Sequence, residues 1–148
     1  MNRAIIVLAA TIFVTPAVAK PKFVSFDPPN ATVTEPAAIN TAGDVTGFFQ
    51  DQFSRQHGFV RLADGTFQTF DVPEASATRP SSINDEGEVS GMWNDSHSKI
   101  HGFVRKSSGA ITVTDPPSST DARQYGLNNK GQAVGLYVSD AVLKKAIS

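Results

Sequence analysis

The chain has 148 residues, no cysteine, and 13 Lys+Arg against 14 Asp+Glu, a formal charge of −1. That balance offers no basic field for nucleic acid or an anionic membrane surface. The absence of cysteine excludes a disulfide scaffold and any thiolate metal site.

Residues 1–19 read as a signal peptide. Arg3 supplies the positive start, Ala4 to Val14 form an apolar stretch of 11 residues broken only by Thr11, and Ala17-Val18-Ala19 offers a small-x-small cleavage pattern. The stretch is shorter than the about 20 residues that a membrane span requires. Lys20 and Pro21 follow without a stop-transfer pattern. The expectation is a secreted protein, periplasmic or extracellular, with no membrane span after cleavage. Losing Arg3 takes Lys+Arg from 13 to 12 against 14 acids, a mature charge of about −2.

The remainder, 20–148, reads as a single β repeat domain. Ile39-Asn40-Thr41-Ala42-Gly43 returns as Ile83-Asn84-Asp85-Glu86-Gly87 and again as Leu127-Asn128-Asn129-Lys130-Gly131, each step being 44 residues. His57-Gly58-Phe59-Val60-Arg61 returns unchanged at His101 to Arg105, and Asp27, Asp71 and Asp115 keep the same step. Units 23–66 and 67–110 share 20 identities in 44 positions without a gap. Unit 111–148 is shorter and keeps 6 identities with the second.

In chain order within the second unit, Phe67 to Asp71 is a β-rich run ended by Val72-Pro73. Glu74 to Pro80 reads as a polar connection, Ser81-Ser82-Ile83 as a brief strand, and Asn84 to Gly87 as a tight turn. Asn at its first position bonds backbone amides and Gly at its last accepts positive φ. Glu88 to Trp93 is the third strand, Asn94 to Lys99 a loop, and Ile100 to Arg105 the fourth strand. Ser107-Ser108-Gly109 then turns the chain onward. No stretch sustains a helical apolar period.

The expected fold is therefore all-β: three tandem four-stranded antiparallel units, each like a β-propeller blade, the third incomplete. Gly47, Gly91 and Gly135, inside the third strand of each copy, predict a bulge or a close sheet approach. The aromatic column Phe49, Trp93, Tyr137 is expected to pack between neighbouring units, with an exposed stacking platform as the alternative. Closed propellers hold about 4–8 blades, so a partial array, a ring completed by homo-oligomerisation, or a truncated remnant of a longer repeat protein all fit.

The Ile-Asn-x-x-Gly-x-Val-x-Gly segment followed by His-Gly-Phe-Val resembles the HAF-type extracellular repeats of bacterial exported proteins, in which a His-small-Phe triplet marks each copy. His57-Gly58-Phe59 and His101-Gly102-Phe103 match the triplet, whereas the third copy carries Lys145-Ala146-Ile147 there. The resemblance implies an exported β repeat and brings no activity.

The signature residues Asn40, Gly43, Asn84, Gly87, Asn128 and Gly131, with the two His-Gly-Phe triplets, are assigned structural roles. His57 and His101 are expected to bond a nearby carbonyl or the repeated aspartate, with metal ligation as the competing reading. Asp27, Asp71 and Asp115 read as turn caps, and Asp85-Glu86-Gly87-Glu88 lacks the spaced pattern of a calcium loop. No hydrolase elbow, zinc-helix motif or phosphate loop occurs in the sequence. No catalytic, metal or cofactor residue is assigned. The expected function is a non-catalytic exported structural or ligand-interaction module, its partner a cell-envelope glycan or surface protein. The alternative is a hydrolase of extracellular glycan polymer.

Overall fold

The computed structural model describes residues 23–139. The signal peptide read at 1–19 and the Lys145-Ala146-Ile147 segment lie outside the described residues. Among the described residues the protein is all-β, with ten strands and no helix, hence none long and apolar enough to cross a membrane.

The strands are β1 (Val33–Ile39), β2 (Val45–Gln50), β3 (Gln56–Arg61), β4 (Phe67–Phe70), β5 (Ala77–Ile83), β6 (Val89–Asn94), β7 (Ile100–Arg105), β8 (Ile111–Val113), β9 (Ser119–Leu127) and β10 (Ala133–Ser139). β1 to β4 pair antiparallel in sequence order, as do β5 to β8, and β9 pairs with β10. The first two groups belong to one eight-stranded sheet, joined by a single parallel pair, Gln56 with Ala77. No pairing among the described residues closes a barrel or a ring.

The hairpin turns carry the chemistry that their residues dictate. In the turn between β5 and β6 the Gly87 amide donates to the Asn84 carbonyl at 3.1 Å, and the Asn84 side-chain oxygen accepts from the Glu88 amide at 2.8 Å. Gly87 sits at φ +74°, where a side chain would be strained. Gly43 and Gly131 take the same conformation in the copies on either side.

One strand pairing crosses the 66/67 division of the sequence repeat: the Gly65 turn is a hairpin, and β4 folds back on β3 with Phe67 opposite Arg61 and Phe70 opposite Gly58. One boundary differs from the sequence expectation, the Glu74–Pro80 connection ending early because β5 begins at Ala77. Pro80, which has no N–H to give a ladder, is accommodated at a register shift between Pro80 and Ser82. The equivalent shift in β1 follows Pro36.

Those bulges explain the repeated glycines. Gly47 pairs with Pro36 and Gly91 with Pro80, so each glycine faces the bulged segment. A Cβ on Gly47 would lie 2.8 Å from Pro36 Cα, and one on Gly91 2.7 Å from Pro80 Cα. Only glycine allows the two backbones so close.

The core lies between the first two antiparallel groups. Val60, Val72, Ile83, Val89 and Phe103 are buried together, with Leu62, Phe70 and Ile111 packed at the margin. Each such apolar side chain contributes about 1.5–3 kcal/mol by leaving water. β4 works on both sides: it pairs with β3, while its Phe70 meets the Phe103 ring edge-on at 6.1 Å and lies under the Arg105 guanidinium at 4.7 Å. Phe26 stands in the same relation to Phe59, at 6.3 Å, and to Arg61, at 5.0 Å.

Candidate functional site: two Asp-His-Asp clasps

The loop between β2 and β3 is ordered by one carboxylate. Asp51 Oδ1 accepts from the Phe53 amide at 2.8 Å and the Arg55 amide at 3.0 Å, and Oδ2 accepts from Arg55 Nε at 2.8 Å. These bonds hold Ser54 at φ +62°. The same loop recurs between β6 and β7, where Asp95 Oδ1 accepts from the His97 and Lys99 amides at 2.8 and 2.9 Å and Ser98 takes φ +66°.

The histidine second in each following strand is held between that loop aspartate and the aspartate after the next strand. His57 Nδ1 lies 2.9 Å from Asp71 Oδ2, and its Nε2 lies 3.4 Å from Asp51 Oδ2. His101 Nδ1 lies 2.5 Å from Asp115 Oδ2, with Nε2 3.4 Å from Asp95 Oδ2. Asp115 spends its other oxygen on the Gly102 amide at 3.0 Å. A ring from β2 or β6 covers the imidazole: Phe49 over His57 at 5.2 Å and 32°, Trp93 over His101 at 4.4 Å and 19°. Two members of the aromatic column thus lie on the histidine directly opposite in the same hairpin, Phe49 on His57 and Trp93 on His101. Trp93 also packs against the core between the first two groups, while Tyr137 pairs with Ala122 and is 57% exposed.

Desolvation is the largest single influence on Asp51 and raises its carboxyl. The bonds from the Arg55 amide and guanidinium, the Phe53 amide and His57 outweigh it and hold Asp51 far below the usual carboxylate range. Asp95 is likewise lowered, desolvation opposing, by the Lys99 and His97 amides and by His101. Both loop carboxylates are thus anions made for accepting hydrogen bonds.

The other signature residues are structural supports around these clasps. Gly58 and Gly102 are buried beside the histidines; a Cβ would press on the Phe70 ring at 2.8 Å or on Thr114 Oγ1 at 2.8 Å respectively. Phe59 and Phe103 are fully buried. Asn40, Asn84 and Asn128 shape their turns and also link them, the Asn40 amide donating to the Asn84 carbonyl at 3.2 Å and the Asn84 amide to the Asn128 carbonyl at 3.1 Å. Asp27, read as a turn cap, accepts from the Thr34 hydroxyl at 2.6 Å. Asp85 spends its carboxylate between copies, on the Thr41 amide and hydroxyl at 2.9 and 2.6 Å and on the Asn129 amide at 2.7 Å. His57 and His101 belong to separate clasps, and among the described residues no three His, Asp or Glu side chains converge to hold a metal ion.

Asp51 and Asp95 are the residues that sequence reasoning missed. Their signal was present, because they too stand 44 residues apart, within a segment whose other positions mostly differ between the two copies.

Beside the first clasp lies an open cleft of about 1060 Å³, lined by Phe49, Asp51, Phe53, Arg55, His57, Phe67 and Asp71 among others. Phe53 is 67% exposed at its mouth, with the Arg55 guanidinium 5.5 Å from its ring centre. At the second clasp the positions of Phe53, Arg55 and Phe67 are held by His97, Lys99 and Ile111. Comparison with known proteins finds no family model, curated protein or solved structure that matches this chain.

Proposed function

We propose that the chain is a non-catalytic exported repeat module whose first clasp cleft takes a glycan of the cell envelope. The observation that carries this reading is the exposed Phe53 ring beside Arg55, Asp51 and Asp71, backed by a histidine with both nitrogens facing carboxylates. A flat exposed ring stacks on the apolar face of a sugar, and charged groups around it bond hydroxyls; cavities of this kind combine an apolar wall with a few polar groups. Both nitrogens of His57 face carboxylates that also order the surrounding loops, which favours a structural use of the ring. In the same reading the architecture is an array of 44-residue, four-stranded, blade-like units with an incomplete third, of the HAF-type extracellular kind. The pairing of β1–β4 and β5–β8 and the bonds between equivalent turns support it.

A glycan array and a panel of polymer-hydrolysis assays test the reading together. Binding without turnover is expected, lost in Phe53→Ala with an unchanged circular dichroism spectrum. Turnover of a glycan polymer that disappears in Asp51→Asn would replace this reading with that of a hydrolase.

A further inference from the structure

Equivalent strands in successive copies have different exposures, and the difference follows their place in the chain. Ile83 in β5 is 6% exposed, whereas its counterpart Ile39 in β1 is 67% exposed. β5 lies against β1, β2 and β3, and β9 lies against β5, β6 and β7. The first strand of each later copy thus covers the copy before it, and β1 has none to cover among the described residues.

The far end shows the complement. Thr46 in β2 and Ser90 in β6 are fully buried, while Val134, at the same position in β10, is 67% exposed. Tyr137 is 57% exposed where Phe49 is 7% exposed. The substitutions run against exposure: Val134 stands for Thr46 and Ser90, and Val138 for Gln50 and Asn94. β10 therefore reads Ala-Val-Gly-Leu-Tyr-Val, apolar on both faces. An apolar strand with one edge unpaired among the described residues is a template for association.

The two uncovered surfaces are the two halves of a joint that the chain already makes twice. We propose that a second copy covers β10, its β1 seated there as β5 sits on the first copy and β9 on the second. The joint has a polar seam as well as an apolar one. Within the chain it is stitched by Asn84 to the Asn128 carbonyl, by the Asp85 amide to Asn129 Oδ1 at 3.0 Å, and by the Leu127 amide to Ser82 Oγ at 3.1 Å. Asn128 offers its side-chain amide in the same sense to the Asn40 carbonyl of the second copy. The contact is head-to-tail, so it ends in a closed ring or grows as a filament. It does not depend on the glycan reading.

Sedimentation velocity on the chain without residues 1–19, over a range of concentrations, tests this. The unaltered chain is expected to exceed the monomer mass, and Ile39→Glu and Val134→Glu each to sediment as monomers. An equimolar mixture of the two variants retains one intact β1 and one intact β10, and is expected to give a one-to-one dimer and nothing larger. Both residues are exposed in the single chain, so circular dichroism should be unchanged; Tyr137→Lys provides a second disruption of β10. A monomer at every concentration, assembly that survives both substitutions, or variants that do not pair on mixing would overturn the proposal.

Discussion

Asn40 and Asn84 stand 44 residues apart and are joined directly, the amide of the first donating to the main-chain carbonyl of the second at 3.2 Å. Asn84 does the same to Asn128 at 3.1 Å, so one side chain both shapes its own turn and fastens it to the next. Asn84 is 3% exposed, and removing its side chain leaves the Glu88 amide and the Asn128 carbonyl, both in part-buried bonds, unpaired. Asn84→Ala is expected to cost about 1–3 kcal/mol in urea denaturation. Asn128→Ala, at an exposed turn, is expected to cost less than half as much.

The Trp93 indole is a reporter of the second clasp, because it is the only tryptophan and lies stacked on His101 at 4.4 Å. His101→Ala removes the stacked ring and opens the indole to water. Its emission should rise or shift to the red while the far-ultraviolet spectrum persists. His57→Ala, in the other clasp, should leave Trp93 emission unchanged. Equal responses to both substitutions would contradict the separation of the two clasps.

Gly91→Ala places a methyl group 2.7 Å from Pro80 Cα, against backbone that cannot rotate away. Strand separation at the bulge is the only relief, and overpacking of this kind costs about 1–3 kcal/mol. A control substitution at Gly131, where the nearest atom to a Cβ is the far end of Glu88 at 3.6 Å, tests φ strain instead of crowding. Gly91→Ala should be the more destabilising of the two by thermal melting.

Acid should loosen the turns before the core. Asp85 is lowered by the Thr41 hydroxyl and amide and by Asn129, and Glu88 by Lys106, with desolvation opposing and Asn84 assisting. Asp51 and Asp95 are lowered as described. A depressed carboxyl binds its proton more weakly folded than unfolded, so its contribution is complete above the ordinary carboxylate range. That contribution is lost as pH falls below it towards the folded value. The urea midpoint should hold from pH 7 to about 5 and decline steadily below about 4. Asp85→Asn should make that decline shallower.

Ser90 is fully buried and its hydroxyl has no partner, whereas the equivalent Thr46 hydroxyl donates to the Phe59 carbonyl at 2.8 Å. Threonine has a stiffer χ1 than serine and reaches that bond in the first copy. Ser90→Thr is expected to raise stability by about 1 kcal/mol, measured as a higher urea midpoint at unchanged slope.

Much of this was legible in the residues because repetition amplifies a weak local signal. The Asn-x-x-Gly turns announced hairpins, and glycine inside β2, β6 and β10 announced the bulges opposite. The start of β5 was not legible, because Pro80 argues against a strand until the bulge that shelters it is seen. Asp51 and Asp95 escaped notice because each meets its histidine only across a loop, 6 residues on, and the aspartate on the other side of that ring lies 14 residues further, beyond the next strand. Pairing across hairpins is a three-dimensional fact, and the 44-residue step records only that a role recurs.

The return of β4 onto β3 changes where a module begins. A designer wishing to copy this unit into a longer consensus array would be misled by the cut at 66, which leaves β3 paired to β2 but strips it of β4. The transferable cassette runs from 33 to 76, taking β1 through β4 with the connection that carries Asp71 and Val72. Cassettes cut there keep the His57 clasp whole and present Phe70 to whatever copy comes next, so each added module should arrive with its own seal.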